Sequence, residues 1–236
     1  MWLVLFSLVA IPTLALFVAC QAPFISHRAA MRRFRRAISW YGHGVIHWLP
    51  FPWIRVRYED GSNNDKAGPF LFVCNHLSSS DPFLMACLPG ECLQIASRRP
   101  LRLPVWGVMA RLAGYLNINA MPIEEFFARS RRFIAEGVSL IAFPEGTRSA
   151  GKAMGPFHST VFRLALQERV AIAPVCIHGS ERIPPKGSGV LHPGRIIVRR
   201  LPTLRWENYK EMTPFQLKNH VREQIALTWE SFRSAA

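Results

Sequence analysis

Acidic residues are scarce in this chain. Its 236 residues carry 15 Asp and Glu against 29 Lys and Arg, for a formal net charge of +14. Only Asp60, Asp65 and Asp81 are aspartates, against eight histidines. Such a balance draws the protein to anions: nucleic acid, anionic lipid, coenzyme phosphates or an acidic carrier protein. Cysteine is also sparse. The five thiols (Cys20, Cys74, Cys87, Cys92, Cys176) are odd in number, scattered and mostly set in apolar runs. That argues against a disulfide framework and suits reduced thiols in a cytosolic domain. No internal repeat, low-complexity tract or long linker breaks the chain, so its length reads as one domain with an appendage. Half of the residues are apolar, enough for a sizeable core.

Charge is absent altogether from Trp2 to Phe24, "WLVLFSLVAIPTLALFVACQAPF". A run of that length can cross a hydrocarbon layer of roughly 30 Å. No Lys or Arg precedes it, unlike a cleaved signal peptide. The positive charges follow instead, at Arg28, Arg32, Arg33, Arg35 and Arg36. The positive-inside rule then places the N-terminus outside and the remaining chain in the cytoplasm. Two alternatives stand beside a full span: a helix lying in one leaflet, or a lipoprotein signal ending at Cys20. The basic residues sit on the wrong side for the second, and Pro12 and Pro23 also admit a shallow or re-entrant helix pair.

Residues 28–49 read as a second helix. Arg32, Arg33, Arg35 and Arg36 alternate with Met31, Phe34, Ile38, Trp40, Tyr41, Ile46 and Trp48. A basic face opposite an aromatic and aliphatic one marks a helix at an anionic membrane surface. A helix packed on a core with a solvated basic face has the same pattern. The expected division is a membrane anchor with a basic amphipathic helix over 1–49 and a folded domain over 50–236. Because the arginines cluster beside the apolar run, the expected partner is anionic membrane lipid and not nucleic acid.

Past the polar stretch at 59–69 the pattern alternates. Strands are predicted at 53–58, 70–74, 92–96, 114–118, 138–143, 171–177 and 195–200, and helices at 81–88, 104–112, 123–136, 158–168 and 214–232. Continuous apolar runs such as "FLFVC", "SLIAF" and "AIAPVCI" belong to strands covered on both faces. The fold class is therefore α/β, with a central mostly parallel or mixed sheet flanked by helices.

Polar clusters mark two strand ends. In "NHLSSSDP", His76 and Asp81 stand five positions apart where an open α/β sheet usually places its chemistry. Read alone, His76 is an ordinary loop histidine and Asp81, before Pro82, a helix N-cap. In "LIAFPEGTRS", Gly146 permits a tight turn and Arg148 offers a fork suited to phosphate. Read alone, this is a turn with a surface arginine. A third signal, "VAIAPVCIHGS", is a buried strand broken by Pro174.

Together these blocks resemble the glycerolphosphate/lysophosphatidate acyltransferase family over roughly residues 50–200. "NHLSSSD" fits its NH-x4-D block, "FPEGTRS" its block of the same sequence, and "AIAPVCI" its apolar-Pro block. The resemblance implies a sheet flanked by helices with a membrane-seated helical motif, a cytoplasmic catalytic domain and a site at the bacterial inner membrane. It implies that His76 acts as general base on an acceptor hydroxyl, oriented by Asp81. Glu145 would orient the acceptor, Gly146 and Thr147 would line the polar end of the substrates, and Arg148 would hold an acceptor phosphate. Acyl-CoA or acyl-carrier protein would be the co-substrate and a lysophospholipid the acceptor, with no cofactor and no metal. One block departs from the pattern. Where the family has Gly-x-x-Phe-x-Asp-Arg, this chain has "GYLNINA", with Asn119 and Ala120 at the Asp and Arg positions. Arg98, Arg99 and Arg102 are candidate substitutes for that phosphate contact. Otherwise the acceptor is another lysolipid, such as lyso-ornithine lipid, or the chain is a non-catalytic lipid-binding module.

Overall fold

The computed structural model describes residues 2–62, 65, 67–97, 100–102, 106–149, 153–183 and 192–234. The uncharged N-terminal run forms α1 (Trp2–Gln21), which continues through Pro12 and ends before Pro23 in a short turn, Ala22–Phe24. Ser26 then accepts from the Ala29 N–H and caps α2 (His27–His43), which runs on into a π-helical turn, Gly44–Trp48. The two helices pair antiparallel. Phe6 stacks on Tyr41 at 5.6 Å and Ser7 Oγ lies 2.7 Å from the Tyr41 hydroxyl. At the other end Val18 is buried with Phe34 and Ala37. The outer face of α1 stays apolar and exposed, with Val9 at 70%, Leu16 at 66% and Phe17 at 61%. One arginine departs from the expected basic face. Arg35 is buried; it pairs with Glu91, donates to the Ala113 carbonyl at 3.1 Å and lies over the Phe133 ring.

Seven strands form a single sheet in the order β1-β7-β6-β2-β5-β3-β4. They are β1 (Ile54–Asp60), β2 (Phe70–Cys74), β3 (Cys92–Ala96), β4 (Leu116–Asn117), β5 (Ser139–Ala142), β6 (Ala171–His178) and β7 (Gly194–Arg200). All neighbours are parallel except β6 and β7, so the sheet is mixed. Its helices are α3 (Asp81–Ala86), α4 (Trp106–Leu112), α5 (Ile123–Ala135), α6 (Thr160–Glu168), α7 (Trp206–Tyr209) and α8 (Pro214–Ser234). The period of two assigns the faces of β2. Leu71 and Val73 pack with Phe126, Phe162 and Leu217 from α5, α6 and α8, while Phe70 and Phe72 pack with Leu84 and Met85 of α3. Each fully buried side chain of this size contributes about 1.5–3 kcal/mol.

Pro174 sits inside β6, paired across from Val73. Its carbonyl accepts from Leu201 N–H at 2.9 Å, on the β7 side. In an extended strand the N–H and C=O of one residue point to the same edge, so the donor that proline lacks is missing there and the ladder to β2 is intact.

Strand β2 is followed by α3 on one face of the sheet, and its neighbour β5 is followed by α6 on the other. Adjacent parallel strands whose connections leave to opposite faces open a crevice at their carboxyl ends. The loops "NHLSSSD" and "FPEGTRS" both start there.

Candidate active site

Asn75 opens the first loop. Its side-chain amide donates to the Ile177 carbonyl at 2.9 Å and accepts from the Ile177 N–H at 2.8 Å, extending the β2–β6 pairing by one step. His76 follows, and its main chain is gripped from both sides. Its N–H donates to Glu145 Oε1 at 2.8 Å, and its carbonyl accepts from the Ser149 N–H at 2.9 Å and the Ser149 hydroxyl at 3.2 Å. The ring tilts against Phe143, 4.7 Å between centroids.

His76 Nδ1 lies 2.8 Å from Asp81 Oδ2. The Asp81 carboxylate is fully buried, and Oδ2 also accepts from the N–H groups of Leu77 (2.7 Å) and Ser78 (2.8 Å). Oδ1 accepts from the Ser180 hydroxyl at 2.7 Å. A carboxylate ringed by donors serves as acceptor, so Nδ1 is the nitrogen that donates, and in the neutral ring the lone pair is on Nε2. Read alone, Asp81 resembles a helix N-cap, but Ser80 holds the cap position, Asp81 is the first residue of α3, and its carboxylate turns back to the preceding loop.

The second loop supports the first. Glu145, expected to orient an acceptor, is 5% exposed, with Oε1 on His76 N–H and Oε2 on Gly155 N–H at 3.0 Å. It is a buried tie between loops rather than an open ligand. Burial raises its carboxyl above the ordinary range, against the two backbone hydrogen bonds and the charges of His76 and Arg222 that lower it. Arg222 of α8 holds the same segment through the Gly155 and Met154 carbonyls, at 2.8 and 2.6 Å. Gly146 takes φ +65 and is exposed with Thr147, and Arg148 is half-buried on the same turn.

Arg102 is exposed in the turn Pro100–Arg102, which packs on α4, and Arg98 and Arg99 lie outside the described residues. Asn119 and Ala120 are exposed in the turn that ends β4.

Ser180 and Gly179 escaped the sequence reading. Gly179 has φ +85, and a Cβ there would lie 2.2 Å from the Arg195 carbonyl oxygen. Only glycine fits, and it delivers Ser180 to Asp81. The signal was the "HGS" that closes "VAIAPVCIHGS", at the end of the strand beside β2.

The fold and this site define an α/β protein whose His–Asp pair stands at a sheet crevice, braced by the loop of the neighbouring strand. The chain belongs to the acyltransferase family, whose model spans residues 55–178. Among curated relatives, a 1-acyl-sn-glycerol-3-phosphate acyltransferase of Cocos nucifera is 28% identical over 78% of this chain and 60% of its own length. The 1-acyl-sn-glycerol-3-phosphate acyltransferase alpha of Ovis aries is 30% identical over 73% of this chain and 62% of its own length. The chain thus spans about six tenths of these relatives. The crystal structure of the 1-acyl-sn-glycerophosphate acyltransferase PlsC from Thermotoga maritima has the same fold, with a TM-score of 0.80. It is 23% identical, and the superposition covers 98% of this chain and 93% of that one.

Proposed function

We propose that this protein is an O-acyltransferase that moves an acyl group from an acyl thioester to the hydroxyl of a lysophospholipid, foremost 1-acylglycerol-3-phosphate. The observation that carries the reading is the His76 ring, with Nδ1 on a buried aspartate and Nε2 left as base. Nε2 takes the proton of the acceptor hydroxyl as its oxygen bonds to the thioester carbonyl carbon. The tetrahedral intermediate collapses, the C–S bond breaks, and the thiolate of acyl-CoA or acyl-carrier protein leaves with the proton from the imidazolium. Asp81 stabilises that cation and fixes the tautomer. Glu145 acts as a positioning residue, and Arg148 binds the acceptor phosphate as a charge-assisted fork. The curated relatives' names support the acceptor.

The α1–α2 hairpin is the membrane-docking element in this reading. Its outward apolar face, the exposed Arg32, Arg33 and Arg36, and the exposed rings of Phe24, Trp40, Trp48, Phe51 and Trp53 suit one leaflet of an anionic bilayer. Since α1 pairs with α2 along its length, crossing the bilayer would draw those arginines into hydrocarbon, which favours insertion in one leaflet.

The test is the purified full chain in detergent, given labelled acyl donor and a panel of lysolipid acceptors, beside His76→Ala. The expected result is turnover of 1-acylglycerol-3-phosphate and a loss of at least about 10²-fold in kcat in the variant. Near-normal turnover in folded His76→Ala would end the mechanism. Asn119 and Ala120 favour a second acceptor class, without a terminal phosphomonoester, which the same panel would reveal.

A further inference from the structure

A second cluster of donor side chains lies away from the His76 crevice. His43 closes α2, His47 stands in the π-helical turn, and Cys87 caps α3. Their ligand atoms all lie within 4.8 Å of one another, and all three residues are half-buried. The imidazoles stack with centroids 5.5 Å apart.

The backbone builds this convergence. A Cβ on Gly42 would meet Ala86 Cβ and the Phe83 carbonyl oxygen at 3.2 Å and Cys87 Sγ at 3.7 Å, so α2 approaches α3 closely at that point. One residue later His43 projects beside the thiol. The π-helical turn, a rare form that collects at functional sites, brings His47 to the same place. Tyr58 lines the cluster, its ring 6.0 Å from His47 and its hydroxyl donating to the Leu84 carbonyl at 2.9 Å.

We propose that His43, His47 and Cys87 form a binding site for a borderline-soft divalent ion of the zinc class, clipping the N-terminal hairpin to α3. Two imidazoles and a thiolate select such an ion over magnesium or calcium, which take oxygen ligands. Metal–nitrogen bonds of about 2.0–2.1 Å and a metal–sulfur bond of about 2.3 Å require donor separations of roughly 3.5 Å in a tetrahedron. Side-chain rotation of about 1 Å closes the present spacing to that value. The Cys87 thiol now donates to the Phe83 carbonyl at 3.3 Å. On binding, the sulfur–metal bond forms, that hydrogen bond is given up, and the thiol proton passes to solvent. Three protein ligands leave the fourth position to water. The clip joins the hairpin to the helix that begins at Asp81, and it stands whether or not the acyl-transfer reading does.

The experiment uses the full chain in detergent, stripped with chelator and titrated with cobalt(II) alone. One equivalent should produce tetrahedral ligand-field bands and a thiolate-to-cobalt charge-transfer band. Cys87→Ser should abolish the charge-transfer band, and Cys92→Ser, the control, should retain it. His43→Gln and His47→Gln should each weaken binding by at least about tenfold, the loss that even outer-shell substitutions produce. Zinc should raise the melting temperature of the wild type and leave that of the His43→Gln/His47→Gln double variant unchanged. No charge-transfer band in the wild type with cobalt in large excess, or one that survives Cys87→Ser, would overturn the site. If Cys87→Ser fails to fold, undiminished cobalt affinity in the double histidine variant overturns it equally.

Discussion

Among the described residues, the hydroxyl that donates to Asp81 Oδ1 is that of Ser180, and both residues are fully buried. Ser180→Ala removes that donor and leaves the carboxylate oxygen short of a partner, at a cost of about 1–3 kcal/mol. The melting temperature should drop, and kcat should fall by up to about tenfold as the His76 partner loosens, far less than losing the base itself. A Ser180→Ala protein unchanged in both would show that the hydroxyl has no part in holding Asp81. Glu145 gives a pH signature. Burial raises its carboxyl in the folded chain, so the folded state holds that proton more tightly than the unfolded state does. Its contribution to stability is therefore greatest below about pH 4.3, the ordinary glutamate value, and falls as pH rises through the raised one. Glu145→Gln removes the titration but sets an NH2 against one of the two backbone donors. The variant should be less stable overall, yet its urea midpoint should decline less between about pH 4 and 7 than the wild type's. Parallel profiles would refute the assignment.

The α1–α2 hairpin can be tested without disturbing its packing. Val9 and Leu16 point away from α2 and are 70% and 66% exposed. Val9→Lys and Leu16→Lys should leave the fold intact and weaken flotation with anionic vesicles by at least about tenfold together, since a charge pressed into an apolar layer costs more than 1 kcal/mol. Unchanged, salt-resistant flotation would place the docking surface elsewhere. At this scale much of the fold is legible in the sequence. The apolar runs at 70–74, 139–142 and 171–178 are strands because both their faces are buried, and a buried run needs no partner to be recognised. The β4 prediction at 114–118 shrinks to Leu116–Asn117, since Gly114 turns the chain with φ +84 just before it. The short α7 was missed, being one turn held by a capping box rather than by periodicity. Arg35 looked like its neighbours at 32, 33 and 36. Only the long-range partners Glu91 and Ala113 turn it inward, and local pattern holds no trace of either. Likewise His76 and Asp81 could be singled out because they are close in sequence, whereas Glu145 as a brace and Ser180 as a partner depend on β2 lying between β5 and β6.

Across the whole molecule, the acceptor question becomes one of distance and charge. Ala120 follows β4, three strands from β2, or about 14 Å along the sheet edge. Arg148 belongs to the loop beside His76. If 1-acylglycerol-3-phosphate is the acceptor, Arg148→Ala should raise its KM and lower kcat/KM by about tenfold or more, roughly 1.4 kcal/mol. Ala120→Arg should then be neutral or should tighten that acceptor. If the natural acceptor lacks a phosphomonoester, wild-type turnover of 1-acylglycerol-3-phosphate should be poor and Ala120→Arg should raise it. Steady-state kinetics on both acceptors decide, and brisk turnover indifferent to Arg148 contradicts both versions.

The place of the imidazole is set by groups that do not belong to the imidazole. Glu145 and Ser149 grip the peptide units on either side of the His76 α-carbon, and Asp81 is fastened to Leu77, Ser78 and Ser180 as well as to the ring. Cutting residue 76 back to glycine therefore removes the tool and leaves its holder: a void beside Phe143 with an acceptor fixed at its base. A small heterocycle supplied from solution could sit in that void, donate to Asp81 and offer its second nitrogen outward. Imidazole added to His76→Gly should restore part of the lost turnover in a saturable way. The same addition to a His76→Gly/Asp81→Ala protein should do nothing, because the holder has gone with the tool.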